Sequence, residues 1–266
     1  LLPPVFGKDV MSVQNIARSA SRASLEPRSI AKSAAFAGSE LQDSFGRKFP
    51  YLRLSVTELC NFRCSYCLPN GYQKRDRDFL GVDEIRRLVT AFAALGTHKI
   101  RLTGGEPTVR HDLLDIARAV SATPGIRTVA LTTNGYKLKH EAHAYVDAGI
   151  RALNVSIDSL DPAQFQAITG QDMLAQVREG VDAAKAAGFT AIKINSVLLK
   201  DVTDHNLPDF LAWIQHESLS VRFIELMQTG ENLAFFKQHH LSANTIIQQL
   251  LERGFVPEIR KPDAGP

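Results

Sequence analysis

The residues predict an α/β protein, a partial (β/α)6 barrel with parallel strands, on three observations. From Tyr51 onward, short β-branched or apolar runs alternate with longer stretches of helical spacing, the trace that repeated βα units leave in a sequence. Gly96, Gly149 and Gly188 each follow a helical run and precede an apolar one, where a left-handed helix cap calls for a residue without a Cβ. Six strand-like runs can be placed, and joined by right-handed crossovers they are too few for a closed eight-stranded barrel.

Taken in order, the strands are expected at Tyr51–Thr57, Lys99–Thr103, Thr128–Thr133, Ala152–Asp158, Ala191–Leu198 and Ser220–Leu226. Helices fill the intervals. Asp161-Pro162 marks one helix start, a capping acid followed by the proline favoured in a first turn. Phe210, Trp213 and Ile214 recur at helical spacing and read as core. Residues 1–42, rich in Ala, Ser and Arg and containing Pro3, Pro4 and Pro27, are expected to be a disordered extension, with the barrel in 43–266. The run from Lys74 to Asp78 mixes charge signs and reads as a solvated loop.

Strand parity points to a function. A parallel sheet is ordinarily apolar on both faces, yet here one face is polar. Leu52, Leu54 and Val56 would pack on helices, leaving Arg53, Ser55 and Thr57 opposite. Ile100 and Leu102 separate in the same way from Arg101 and Thr103, and Leu153, Val155 and Ile157 from Asn154, Ser156 and Asp158. Ile192 and Ile194 separate from Lys193 and Asn195, and Thr132 joins the polar set. Burying unpaired polar groups is costly, so such a lumen should hold water or a polar, anionic ligand. For the sixth strand parity decides nothing, because Arg222 and Glu225 fall on opposite faces.

Composition narrows the classes. A formal charge of +3 from 31 basic and 28 acidic residues is far from the basic excess of a nucleic-acid-coating protein. No apolar run approaches the roughly 20 residues that cross a bilayer, so neither nucleic acid nor membrane is expected as a partner. A cytoplasmic location is expected, although Arg18, Arg22, Arg28 and Lys32 also suit an organellar transit peptide. The chain has three cysteines, Cys60, Cys64 and Cys67, all in one C-x3-C-x2-C stretch at the C-terminal end of the first strand. An odd number in one loop suits a ligand set in a reducing compartment better than a disulfide framework. Three thiolates can hold three irons of a four-iron cube and leave one iron open. A structural zinc site usually closes on four ligands, and no fourth cysteine or suitably spaced histidine follows nearby.

The cysteine loop with its aromatic Tyr66 resembles the signature of the radical S-adenosylmethionine (SAM) superfamily. Further motifs narrow the resemblance: the run Tyr51 to Thr57, Leu68 to Tyr72, Arg101-Leu-Thr-Gly-Gly-Glu-Pro107, Thr132-Thr-Asn-Gly135, Asn154 to Ser159 and Arg222 to Met227. Together they are similar, from about Asp43 onward, to the family of GTP 3',8-cyclases. These act in molybdenum cofactor (molybdopterin) biosynthesis, converting GTP to (8S)-3',8-cyclo-7,8-dihydroguanosine 5'-triphosphate through a 5'-deoxyadenosyl radical.

The resemblance implies a [4Fe-4S] cluster on Cys60, Cys64 and Cys67, with SAM on its open iron. It places Tyr66, Gly105, Ser156 and Met227 at SAM-contacting positions, and Arg53, Arg101, Thr132 and Lys193 at GTP-contacting positions. The GTP positions coincide with the polar face already found by parity. Taken alone, Gly105 could be an ordinary strand-to-helix turn, Met227 core filler, and the cations partners of Asp158 or Glu106. A low-potential electron donor and a homodimer are also implied. The family has a second [4Fe-4S] cluster in a later segment, whose cysteines are absent here. The expectation is a fragment of the cyclase, with a radical SAM enzyme for another nucleotide or a peptide as the alternative. His98, His239 and His240 match nothing in the family's chemistry.

Overall fold

The computed structural model describes residues 40–72, 79–215, 217–229 and 232–258, all within the unit Gly38–Pro266. The expectations for residues 1–39, including the transit-peptide cations, and for the run Lys74 to Asp78 fall outside the described residues. Six strands form one sheet in the order β1-β2-β3-β4-β5-β6. They are β1 (Tyr51–Ser55), β2 (Lys99–Thr103), β3 (Thr128–Thr133), β4 (Ile150–Ser156), β5 (Ala191–Leu198) and β6 (Ser220–Glu225). Each pairs in parallel with the next, and β1 and β6 remain edges, so the barrel is open.

Helices occupy the crossovers: α1 (Val82–Ala94), α2 (Leu113–Ser121), α3 (Leu138–Asp147), α4 (Pro162–Thr169), α5 (Leu174–Ala186) and α6 (Thr203–Gln215). Two further helices, α7 (Leu233–His239) and α8 (Ala243–Glu252), follow β6. Among the described residues, no helix is long and apolar enough to cross a membrane.

The local signals act as their chemistry requires. Gly96, Gly149 and Gly188 take φ of 92°, 94° and 90° after α1, α3 and α5. The Asp161 carboxylate accepts from the Gln164 N–H at 2.8 Å, with Pro162 in the first turn of α4. Ile100, Leu102, Leu153, Val155 and Ile194 are fully buried against the helices, each worth roughly 1.5–3 kcal/mol relative to exposure. Phe210 is buried, and Trp213 packs on the same core.

Three strands shift their bounds. β1 and β4 end two residues before the expected Thr57 and Asp158, β4 begins two residues earlier, at Ile150, and β6 ends one residue before the expected Leu226. The reason is local hydrogen bonding. The Leu59 N–H bonds back to the Thr57 hydroxyl, turning the chain, and the Asp158 carboxylate reaches across to Val197.

The sheet curls so that its polar face is concave. Burial, then the charges of Arg101 and Arg222, lower the Lys99 pKa. Lys99 on β2 and Arg222 on β6 are four strands apart, about 19 Å in a flat sheet at ~4.8 Å per strand, too far for such an effect.

Candidate active site

The cysteine loop leaves β1 at the C-terminal end of the sheet, where barrel active sites are built. The loop is held from four sides. The Gly105 N–H donates to Thr57 O at 2.9 Å and the Glu106 N–H to Leu59 O at 2.7 Å. The Asn134 side chain donates to the Asn61 side-chain oxygen at 2.8 Å. The Arg63 and Ser65 N–H groups donate to Thr169 O and Ile168 O, each at 2.9 Å. These carbonyls close α4, whose last turn has no intrahelical donor for them. Finally, the Tyr66 hydroxyl donates to Asp158 Oδ2 at 2.8 Å, while Asp158 Oδ1 accepts from the Val197 N–H.

The two glycines of the turn after β2 are there because the cysteine loop passes close by. A Cβ on Gly104 would lie 2.2 Å from Thr57 O, and one on Gly105 2.3 Å from Leu59 O. No side chain fits between two backbones at that separation. Gly105 is thus more than an ordinary strand-to-helix turn, because it seats the loop that carries Cys60.

Cys60 and Cys64 are half-buried and Cys67 is exposed. Burial raises all three thiol pKa values, with further increases from Glu106 at Cys60 and from Asp158 at Cys64 and Cys67. The thiols also raise one another, as Cys67 does for Cys60 and both others do for Cys64. They are therefore close together in an acidic setting, which a cationic centre would neutralise as the ligands deprotonate. Among the described residues, no three His, Cys, Asp or Glu side chains converge as a single ion requires. Three thiols with no further cysteine in the sequence fall short of the four ligands that close a structural zinc site, and the donor set suits the iron-sulfur group.

Below the loop lies the lumen. Arg53 pairs in register with Arg101. The Arg101 guanidinium, 7% exposed, donates to the Tyr51 hydroxyl at 2.7 Å and to the Thr132 hydroxyl at 3.4 Å. Thr132, Asn154 and Lys193 form one row across β3, β4 and β5. Ser156, Asn195 and Arg222 form the next. The buried carboxylates are engaged elsewhere. Glu106 accepts from the Thr108 N–H and hydroxyl, the Thr133 hydroxyl and the Asn134 N–H, and Asp158 from Tyr66 and Val197.

Of the positions expected to contact SAM, Tyr66 packs on a small cluster of Ile168, Leu199 and Leu226. Gly105 lies on the turn after β2, and Ser156 closes β4. Met227, two residues beyond β6, is 68% exposed and so is not core filler. Parity overlooked two cations. Lys99 shares the parity of Arg101 and was within reach of the sequence, whereas Arg222 needed the β5–β6 register to place it opposite Asn195. His240 bonds Glu225 on the other face of β6, outside the lumen.

An open six-stranded parallel barrel with three thiols on the loop after its first strand defines a radical SAM protein, and the family model for the radical SAM superfamily matches residues 54–214. The chain is 56% identical over 270 residues to a GTP 3',8-cyclase of Aeromonas hydrophila subsp. hydrophila, covering 99% of this chain and 71% of that one. It is 54% identical over 231 residues to the GTP 3',8-cyclase of Klebsiella pneumoniae subsp. pneumoniae, covering 86% of this chain and 70% of that one. Among solved structures, methylornithine synthase shares the fold at a TM-score of 0.62 and 17% identity, over 75% of this chain and 60% of that one. The chain belongs to the GTP 3',8-cyclase family.

Proposed function

We propose that the chain holds a [4Fe-4S] cluster on Cys60, Cys64 and Cys67, binds SAM beside it, and acts on GTP in the lumen to form (8S)-3',8-cyclo-7,8-dihydroguanosine 5'-triphosphate. The observation that carries this reading is the cysteine loop, pinned at four points above a cation-rich lumen whose buried carboxylates are engaged elsewhere.

Cys60, Cys64 and Cys67 would hold the cluster, which would supply the one-electron reduction needed to cleave SAM and start radical chemistry on the substrate. The protein's own task is placement. The tethers at Leu59, Asn61, Arg63, Ser65 and Tyr66 fix the loop before any ligand arrives, so little ordering is left for the bound state. Tyr66 on the cysteine loop, and Gly105, Ser156 and Met227 at or just past strand ends, would receive SAM. Arg53 and Arg101 offer planar donors for phosphate oxygens, Lys193 a compact charge, and Thr132 a hydroxyl. Lys99 and Arg222 extend the same cationic field. This reading assigns all three cysteines of the chain to one cluster.

The test is anaerobic reconstitution with iron and sulfide, then dithionite, SAM and GTP, scoring 5'-deoxyadenosine with and without the nucleotide. The expected result is iron uptake that requires all three cysteines, with SAM cleavage altered by GTP. SAM cleavage indifferent to GTP, and unchanged in a combined Arg53→Ala and Lys193→Ala variant, would indicate another substrate. Zinc uptake without iron would sink the reading altogether.

A further inference from the structure

A polar cleft of about 380 Å³ lies where β3 and β4 begin and where α2 and α3 end. The strands are parallel, so this is the opposite end of the sheet from the one at which the cysteine loop leaves β1. The proposed reaction makes no use of it.

The walls of the cleft are fixed to one another. The Ser121 hydroxyl at the end of α2 donates to Ala148 O, just past α3, at 3.2 Å. Gly149 permits that approach, since a Cβ there would lie 2.5 Å from Ser121 Cβ and Oγ. The start of β4 carries a bulge. Val129 pairs with Ile150 and Ala130 with Ala152, which makes Arg151 an extra residue in a parallel ladder. Bulges are rare between parallel strands, and beside functional sites they re-aim a side chain. Here Arg151 Nη1 donates to Val146 O on α3 at 2.6 Å, which carries its guanidinium to the helix ends.

Charge and size say what the cleft would bind. Arg118, Arg127 and Arg151 line it together with the carboxylate of Asp147. Arg151 spends one nitrogen on α3, and Arg118 spends one on Asp115 at 2.9 Å. The Arg127 guanidinium has no acceptor among the described residues. Guanidinium forks match phosphate oxygens, and like charges gathered around one cleft favour an anion. The volume falls within the roughly 300–1,000 Å³ of small-molecule sites, so there is room for more than a bare phosphate. Ile126 and Val129 supply an apolar patch for the remainder of the ligand. Asp147, which only accepts hydrogen bonds when ionised, suits a hydroxyl on it.

We propose that this cleft binds a phosphate monoester of a small polyhydroxylated molecule, a sugar phosphate in chemical class, with the arginines on the phosphate and Asp147 on a hydroxyl. The site is independent of what the lumen binds.

The test is calorimetric titration of the anaerobically reconstituted full chain carrying Arg53→Ala and Lys193→Ala, which weakens the lumen as a competing anion site. The probes are ribose 5-phosphate, inorganic phosphate and ribose. Ribose 5-phosphate should bind once per chain, inorganic phosphate about tenfold more weakly, and ribose not measurably. Adding Arg127→Met should weaken both phosphates about tenfold, the loss expected for a charge-assisted hydrogen bond. It should not lower the melting temperature, because that guanidinium bonds no described residue in the ligand-free fold. Asp147→Ala should weaken ribose 5-phosphate and tighten inorganic phosphate.

No saturable binding of either phosphate would overturn the proposal, and so would binding that Arg127→Met leaves unchanged. Inorganic phosphate binding as tightly as the ester, or an Asp147→Ala variant with unaltered affinity for ribose 5-phosphate, would overturn the assignment of a hydroxylated ligand. A wild-type chain that fails to bind GTP would overturn the proposed function and leave this site standing.

Discussion

At the scale of single residues, Asp158 shows how a side chain with correct parity can have an unexpected partner. Alternation placed it on the polar face, where pairing with a lumen cation was one reading. Instead, it bonds the Tyr66 hydroxyl and the Val197 N–H, both contributed by other strands or loops, and nothing in the local sequence reveals a contact across 92 positions. Burial is the largest influence on its carboxyl and raises the pKa from 3.8 to about 6, against the lowering effect of those two bonds. The folded state thus holds this proton more tightly than the unfolded chain. Its contribution to stability falls as pH rises from about 4 to about 6 and is flat above, a loss on the order of 3 kcal/mol. A carboxamide in its place cannot titrate, so the stability of the ligand-free Asp158→Asn variant relative to wild type should improve across that window. Urea midpoints at a series of pH values would show it, and parallel curves would refute it.

At the scale of elements, the helix after β4 does more than cross over. The carbonyls that end α4 accept from Arg63 and Ser65, so the helix terminus holds the cysteine loop while the loop satisfies the terminus. The start of α4 was legible, because Asp-Pro is a local capping signal. Where its end would dock was not, because that depends on how the crossover lies on the sheet. Removing the cap with Asp161→Ala should cost about 1 kcal/mol. The effect should extend to the other end: hydrogen exchange at the Arg63 and Ser65 amides should quicken along with that of the helix. Faster exchange confined to the first turn of α4 would show that the loop does not depend on it.

At the scale of the whole molecule, curvature turns a row of alternating side chains into a cationic chamber. Lys99 and Arg222 begin on strands four apart and end close enough for Arg222 to help lower the Lys99 pKa, after burial and Arg101. Crowded like charges destabilise the ligand-free state and favour an anion. Lys99→Met should therefore raise the melting temperature of the ligand-free chain and shrink the further rise produced by GTP. Thermal melts with and without GTP, at low and moderate salt, would measure both effects. A lower ligand-free melting temperature with an undiminished GTP response would rule out this view of the chamber.

The residues alone determined the alternation of strand and helix, the three cap glycines, the clustering of the cysteines in one loop and which face of the sheet is polar. These follow from periodicity, backbone conformation and residue chemistry, all of which act over a few positions. Only the tertiary structure decided that Gly105 seats the cysteine loop, that Asp158 accepts from Tyr66 and Glu106 from Asn134, and that Arg222 faces Asn195. Each of those depends on strand register and sheet curvature, which bring together groups far apart in the chain and which no local pattern encodes.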